Sequence, residues 1–502
     1  MNASDPDISA IVARTSRSYD ALPYTSNPFP LTHPALTGAI ARLFTLEAAP
    51  LGTARVLELG CAAGGNIIPI AARHPGASVV GVDLSAAQVA AGRARIADLE
   101  LTNIEIRCQS FADVAPGDAA SFDYIICHGV YSWVPAPLRD AILRICRDSL
   151  SPRGVALVSY NVLPGWRMQQ ALRDCFLLHS MQDADPRRRV AQARALLGLL
   201  PRGAPENGAY KSFLTAQAAQ LADASDEYLA HEYLDDVNEP CTFRDFVDAA
   251  RRHGLAFLAE ADVPSMIVSN YPAAMAEVVP CIGGDALLAT EQAIDMVSGR
   301  TFRHTLLVAA ERAARIDRQL AGARLDDLHL LGDAALALRR EGGGATLARP
   351  TGRRLHTGSA PLADALARFV AAFPSSASVD DLVQALPAAG RNAQGRAMVR
   401  DAALNMVING LATPRTEPVR AAAQVSARPI ACPLARADAA RGASATVNLR
   451  HESVVLGEPV RAVLALLDGS RDLDALARAL PPGPTSATAI LSALARAGLL
   501  VA

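Results

Sequence analysis

Glu58, Gly60, Cys61, Gly64 and Asn66 fall within the segment VLELGCAAGGN, an apolar run that ends on a carboxylate and opens into a loop of small residues. A glycine loop after a buried strand brings bare backbone close to a ligand. It could cradle a pyrophosphate, as in dinucleotide folds, or make room for another nucleoside. Here the acid precedes the loop, an order that disfavours NAD and suits a cationic ligand with an amino group. A second carboxylate, Asp83 of GVDLS, ends the next apolar run about 20 residues on, with Leu84 after it; at that spacing a carboxylate can accept both ribose hydroxyls.

NAD and S-adenosylmethionine share the need for Asp83, but the acid-first loop separates them, and the pair points to S-adenosylmethionine. The run CQSFADV then offers Ser110 and Phe111 beside the adenine, with Asp113 either a partner for its exocyclic amine or a turn former. The run FDYIICHGVYSWVP places His128, Gly129, Tyr131 and Trp133 at the carboxyl edge of the sheet, where open α/β folds keep their ligands. His128 is read as a cofactor contact, against the alternative of a satisfied core histidine.

Such residues need strands to carry them. ARVLELG (54–60), SVVGVDL (78–84), IEIRC (104–108), FDYIIC (122–127) and GVALVSY (154–160) are short β-branched runs that alternate with helical stretches such as 85–98 and 136–149. This rhythm predicts a parallel sheet covered by helices on both faces. The pattern turns helical and polar from about 170 to 240 and reads as an insertion; LAFLAEADV (255–263) and TFRHTLLVAA (301–310) then supply two more strands of the same sheet.

The last 150 residues carry a degenerate repeat. FVAAFPSSASVDDLVQALP (369–387) aligns with VLALLDGSRDLDALARALP (463–481), and each half continues into a third helix ending in Gly-Leu at 410–411 and 498–499. The plan is winged-helix-like, with a Pro, Ala and Arg-rich linker from Thr413 to Gly442 between the halves.

Composition narrows the class. The chain has 502 residues, a formal net charge of -2, no apolar run long enough to span a membrane and no signal-peptide pattern in its first 20 residues, so a cytoplasmic protein of several domains is expected. Its eight cysteines lack the spacing of a zinc site or a disulfide framework. Lys211 is the one lysine among 48 basic residues, a bias that GC-rich coding explains.

SYDALPYTSNPFPLTHP (18–34), LELGCAAGGN, CHGVYSWVP, SYNVLPGW (159–166), GRTFRHTLLV (299–308) and NLRHESVVL (448–456) together resemble bacterial class I methyltransferases with a methyltransferase regulatory domain, a group that includes the rickettsial protein lysine methyltransferases. The resemblance implies an α/β, Rossmann-like core of seven strands, a helical, dimer-forming insertion, and C-terminal winged-helix-like domains. The expected divisions are 1–168 for the cofactor core and its N-terminal lid, 169–240 for the insertion, 241–340 for the regulatory region and last strands, 341–415 for a middle winged-helix-like domain, and 416–502 for linker and C-terminal domain.

Methyl transfer is an in-line displacement that needs no metal and gains from alignment and electrostatics. Tyr19, Tyr24 and His33 are the candidates for a lid over the cofactor. Tyr160, Asn161 and Trp166 of SYNVLPGW are placed near the transferring methyl, and Trp133 with Tyr131 could hold an ammonium by charge–π attraction. Three functions fit these residues: a protein lysine methyltransferase, a methyltransferase for a small metabolite, and a non-catalytic cofactor sensor. A protein substrate is expected from the long multi-domain tail. Nucleic acid is not, because residues 351–502 hold 16 Arg against 11 Asp and Glu and six of those Arg lie between Thr413 and Arg450.

Overall fold

The computed structural model describes residues 20, 22–114, 122–180, 183, 185–479 and 486–501. A seven-stranded sheet forms its centre: β1 (Arg55–Leu59), β2 (Ser78–Asp83), β3 (Ile104–Cys108), β4 (Phe122–Cys127), β5 (Leu150–Asn161), β6 (Leu255–Glu260) and β7 (Phe302–Ala309), in the order β3-β2-β1-β4-β5-β7-β6. β1 to β5 pair in parallel, whereas β7 runs antiparallel between β5 and β6. Four of the five residues of β1 are buried, as expected of a strand covered on both faces.

Short polar signals set the helices. Ser85 caps Ala86–Asp98 by accepting from Gln88 N, and Thr242 and Asp245 close a reciprocal capping box on Phe243–Arg252. One face of the sheet packs on helix Pro34–Leu43 and runs without a break into the middle unit, through Leu325, Leu330, Phe369 and Met406. The other face packs on Ala136–Ser149 and Phe243–Arg252.

The insertion is four helices, Trp166–Ser180, Pro186–Gly203, Ala209–Leu221 and Asp226–Tyr233, around a core that includes Leu172, Phe176, Val190 and Leu229. The division drawn at 168/169 falls inside the first of these helices, because the apolar stripe that packs the insertion already begins there. The division at 340/341 likewise falls inside a strand: Ala337–Glu341, Gly344–Ala348 and Arg354–Thr357 form an antiparallel sheet, with the Gly-rich run as its turns.

Both halves of the repeat contain three helices, 360–372, 379–384 and 393–408 in the first and 458–464, 473–479 and 487–496 in the second, and each ends on a glycine in the left-handed region, Gly410 and Gly498. The pairing of Val379 with Leu473 joins a buried residue to one that is 41% exposed, and Leu480 lies outside the described residues. The stretch from Thr413 to Gly442 is no free linker. It contributes a strand, Thr413–Arg415, beside His329–Leu331 and a helix, Pro433–Ala440, to the C-terminal core, and the Arg415 side chain is buried. No helix among the described residues is long and apolar enough to cross a membrane.

Candidate functional site

The carboxyl ends of β1 to β5, with the amino end of the antiparallel β7 beside them, open into a cavity of about 420 Å³. On one side stand Glu58, Gly60, Cys61, Asp83, Leu84 and Phe111, from the ends of β1, β2 and β3; Asn66 and Ser110 also reach it. On the other stand His128, Gly129, Trp133, Asn161, Trp166 and Phe302, from the ends of β4, β5 and β7. A strap, Tyr24 to Phe29, and helix Asp226–Tyr233 of the insertion supply the cover.

The loop after β1 is built by close approach. Gly60 has φ +76, and a Cβ there would lie 2.4 Å from the Val130 side chain. At Gly65 a Cβ would lie 2.1 Å from the Ser26 carbonyl oxygen, while Gly65 N donates to Ser26 Oγ at 2.7 Å, so this glycine admits the strap. Gly64 does not line the cavity. Its φ of +73 turns the chain, and a Cβ would meet Ile68 and Ile106 at 2.9 Å, so its bareness serves packing behind the loop and not the ligand.

Glu58 is 3% exposed, and Asn66 Nδ2 donates to its Oε1 at 2.8 Å while Oε2 has no partner among the described residues. Burial, assisted by the nearby Asp83, pushes its carboxyl up to about 8 against the Asn66 hydrogen bond. A buried carboxylate with a bare oxygen at the cavity wall asks for a cationic donor. Asp83 accepts from Ala62 N at 2.8 Å through Oδ2 and from Ser85 N at 2.9 Å through Oδ1, and burial raises its pKa. Each oxygen retains a lone pair, so two vicinal hydroxyls can be bound side by side. Leu84 and Phe111 add the apolar surface for a flat ring. Asp113 is absent from the lining, at the end of a short turn that begins at Phe111.

Ser159 Oγ accepts from Gly129 N at 2.8 Å and lies 3.0 Å from His128 Nδ1. Burial, with His304 stacked 5.2 Å away, holds the His128 pKa down to about 3. Trp133 and Trp166 meet edge to face at 6.3 Å, and the Trp166 Nε1 and Asn161 Nδ2 donors are buried without partners among the described residues.

Tyr160 sits on the wrong face for chemistry. Consecutive strand residues point to opposite sides, so Asn161 reaches the cavity while the Tyr160 ring stacks on Phe246 at 4.0 Å and its hydroxyl pairs with Thr305 Oγ1 at 3.2 Å. Tyr24 joins the cover and Tyr19 lies outside the described residues. His33 is no lid residue: it is buried, caps helix Pro34–Leu43 and takes a hydrogen bond from Arg415 at 3.2 Å. Tyr131 is buried against Phe246 outside the lining.

The sequence reading missed Tyr228, His231 and Glu232, which line the cavity from the insertion. Burial pushes the Glu232 carboxyl up to about 7 despite Arg173, and the group makes no hydrogen bond among the described residues. The only local signal is that Tyr228 and Glu232 stand four apart on one helical face.

Three family models match the chain: a methyltransferase domain over residues 57–156, a predicted methyltransferase regulatory domain over 225–309, and a PKMT C-terminal winged helix domain over 427–482. The uncharacterized protein RP028 of Rickettsia prowazekii (strain Madrid E) is 35% identical over 245 residues, 48% of this chain and 97% of that protein. RP789 of the same organism is 40% identical over 290 residues, 58% of this chain, and the match spans about half, 52%, of that protein's length. Among solved structures, PKMT2 from Rickettsia typhi in complex with AdoHcy matches with a TM-score of 0.81 and 25% identity, over 96% of this chain and 100% of that one.

Proposed function

The chain belongs to the methyltransferases that carry a methyltransferase regulatory domain and a PKMT winged helix, with S-adenosylmethionine as methyl donor, and we propose that its acceptor is the side-chain amine of lysine in a protein. The cofactor supplies an electrophilic methyl group on a sulfonium; the chain must bind it, aim the acceptor and keep water out. In this reading Glu58 and Asp83 hold the methionine amine and the ribose, Leu84, Ser110 and Phe111 flank the adenine, and His128, Gly129 and Cys61 complete the wall. Asn161, Trp133 and Trp166 face the acceptor.

The observation that carries the lysine reading is Glu232, a half-buried carboxylate with no hydrogen-bonded partner among the described residues, set over a cavity walled by tryptophans. A lysine amine has an ordinary pKa of ~10.4 and must lose its proton before it attacks. Aromatic walls attract the ammonium and their low polarity favours its neutral form. Glu232 draws the cation in and is a base matched to neutral pH. The likeness to rickettsial PKMT2 supports the same acceptor. Met168, Leu178, Leu199 and Tyr210, exposed apolar residues on the insertion, favour a homodimer formed there.

Incubating the full chain with methyl-labelled S-adenosylmethionine and a cell lysate tests the proposal. Label is expected in protein as mono- to trimethyl-lysine. Label confined to the small-molecule fraction would replace this reading with a metabolite methyltransferase.

A further inference from the structure

The segment NLRHESVVL belongs to the C-terminal domain, yet its histidine ends up at the back of the cofactor loop. His451 is fully buried, with φ +66, at a position where a non-glycine residue is strained. The turn holding it is locked from within: Asn448 Oδ1 accepts from Arg450 N and Glu452 N, each at 2.9 Å, and Asn448 Nδ2 donates to Ala497 O at 2.9 Å. Arg73, at the end of the helix that follows the loop, donates to the Val447 carbonyl at 3.0 Å and also to that of Asn448. The turn is thus pinned at both ends of helix Ile67–Arg73, by Arg73 at its last residue and by Asn66 at its N-cap.

At Asn66 the hydrogen bonds form a complete set. The amide oxygen accepts from Phe29 N at 3.0 Å and from His451 Nε2 at 2.8 Å. The amide nitrogen donates to Thr32 Oγ1 at 3.0 Å and to Glu58 Oε1 at 2.8 Å. Two donors at the oxygen leave the nitrogen one orientation, toward Glu58. The His451 ring also meets the His33 ring at 4.7 Å, and Arg415 pairs with His33, so strap, loop and C-terminal domain close on one point without access to water.

We infer that His451 is a positioning residue for methyl transfer: through Asn66 it aims the Glu58 carboxylate into the cavity, so that docking of the C-terminal domain and cofactor binding are coupled. The inference rests on Glu58 being the carboxylate that meets the cofactor. By linkage, whatever loosens the domain at this turn weakens the cofactor, and bound cofactor tightens the domain. A domain distant in sequence then gates the donor site through one amide.

Isothermal titration of S-adenosylmethionine into the full chain tests it, using His451→Met, which removes the N–H donor, His451→Gln, which restores one, Glu58→Gln, and the double variant of Glu58→Gln with His451→Met. The Met variant is expected to bind about tenfold more weakly, the Gln variant within about threefold of the parent, and the Met change to add less than about twofold once Glu58 is Gln. Arg73→Met, which frees the turn without touching Asn66, is expected to weaken binding severalfold and keeps the test open if the Met variant does not fold. Unchanged affinity in His451→Met or in Arg73→Met, or an equal loss from the Met change with and without the Glu58 carboxylate, would overturn the coupling. Normal binding by Glu58→Gln alone would overturn the assignment of Glu58 itself.

Discussion

The two sides of the cavity are built by opposite rules. Where β1 and β2 end, Glu58 and Asp83 are carboxylates held by backbone N–H groups and one buried amide within a short stretch of chain. Where β4 and β5 end, the wall is aromatic, its Asn161 Nδ2 and Trp166 Nε1 donors are without partners among the described residues, and its cover comes from an insertion some way down the chain. A site for an invariant ligand can be prepared in advance by local hydrogen bonds. A site for an acceptor that arrives and leaves keeps its polar groups free until the acceptor satisfies them.

The largest break in this contrast is expected from Asp83→Ala, which leaves two ribose hydroxyls unpaired at a closed site. Cofactor affinity should fall roughly 10- to 100-fold, about 1–3 kcal/mol, by titration calorimetry. An unchanged dissociation constant would move the cofactor out of this cavity.

Glu232→Gln tests the other side. With the lysine-containing substrate in hand, kcat/KM should fall about 10- to 100-fold while S-adenosylmethionine affinity stays within about twofold. Equal losses in both would place Glu232 at the cofactor and not at the acceptor.

Acidity should separate the sides further. The Glu58 carboxyl is raised to about 8 without ligand, so at pH 6 it is protonated and lacks the charge a cationic ligand needs. Cofactor affinity should therefore rise by up to about tenfold per pH unit toward pH 8 and level off above it. In the ligand-free protein the sign reverses: the fold favours the protonated acid, a contribution present below the ordinary carboxyl range and lost as pH rises through about 8. In Glu58→Gln the melting temperature without cofactor should fall less between pH 6 and 8 than in the parent, and an identical pH dependence in the two would contradict this assignment.

Tyr160→Phe should do least. Its hydroxyl meets Thr305, which keeps its own hydrogen bond to Glu260 at 2.7 Å, so turnover should stay within about twofold of the parent. A loss of tenfold or more in kcat would return Tyr160 to the reacting centre.

The donor side was legible because its rules are local. An acid at the end of an apolar strand, glycines after it and a second acid at the next strand end are set by the chain's own geometry, and Glu58, Gly60, Cys61 and Asp83 all reach the cavity. The acceptor side was legible only in part. Trp133, Asn161 and Trp166 lie near strand ends and line the cavity, but Tyr160 does not, because β5 is buried on both faces and composition gives no parity to choose between neighbours.

Alternation of strands and helices, the repeated helix trio and the order of carboxylate and glycine are periodic or short-range features, and the amino-acid sequence by itself determined them. Tertiary structure alone decided that Glu232 overhangs the cavity, that the Arg-rich stretch after Thr413 packs as core, and that His451 meets Asn66 across 385 residues. Those contacts depend on which faces of separate units are buried against each other, and burial between distant segments leaves no period in the chain that could announce it.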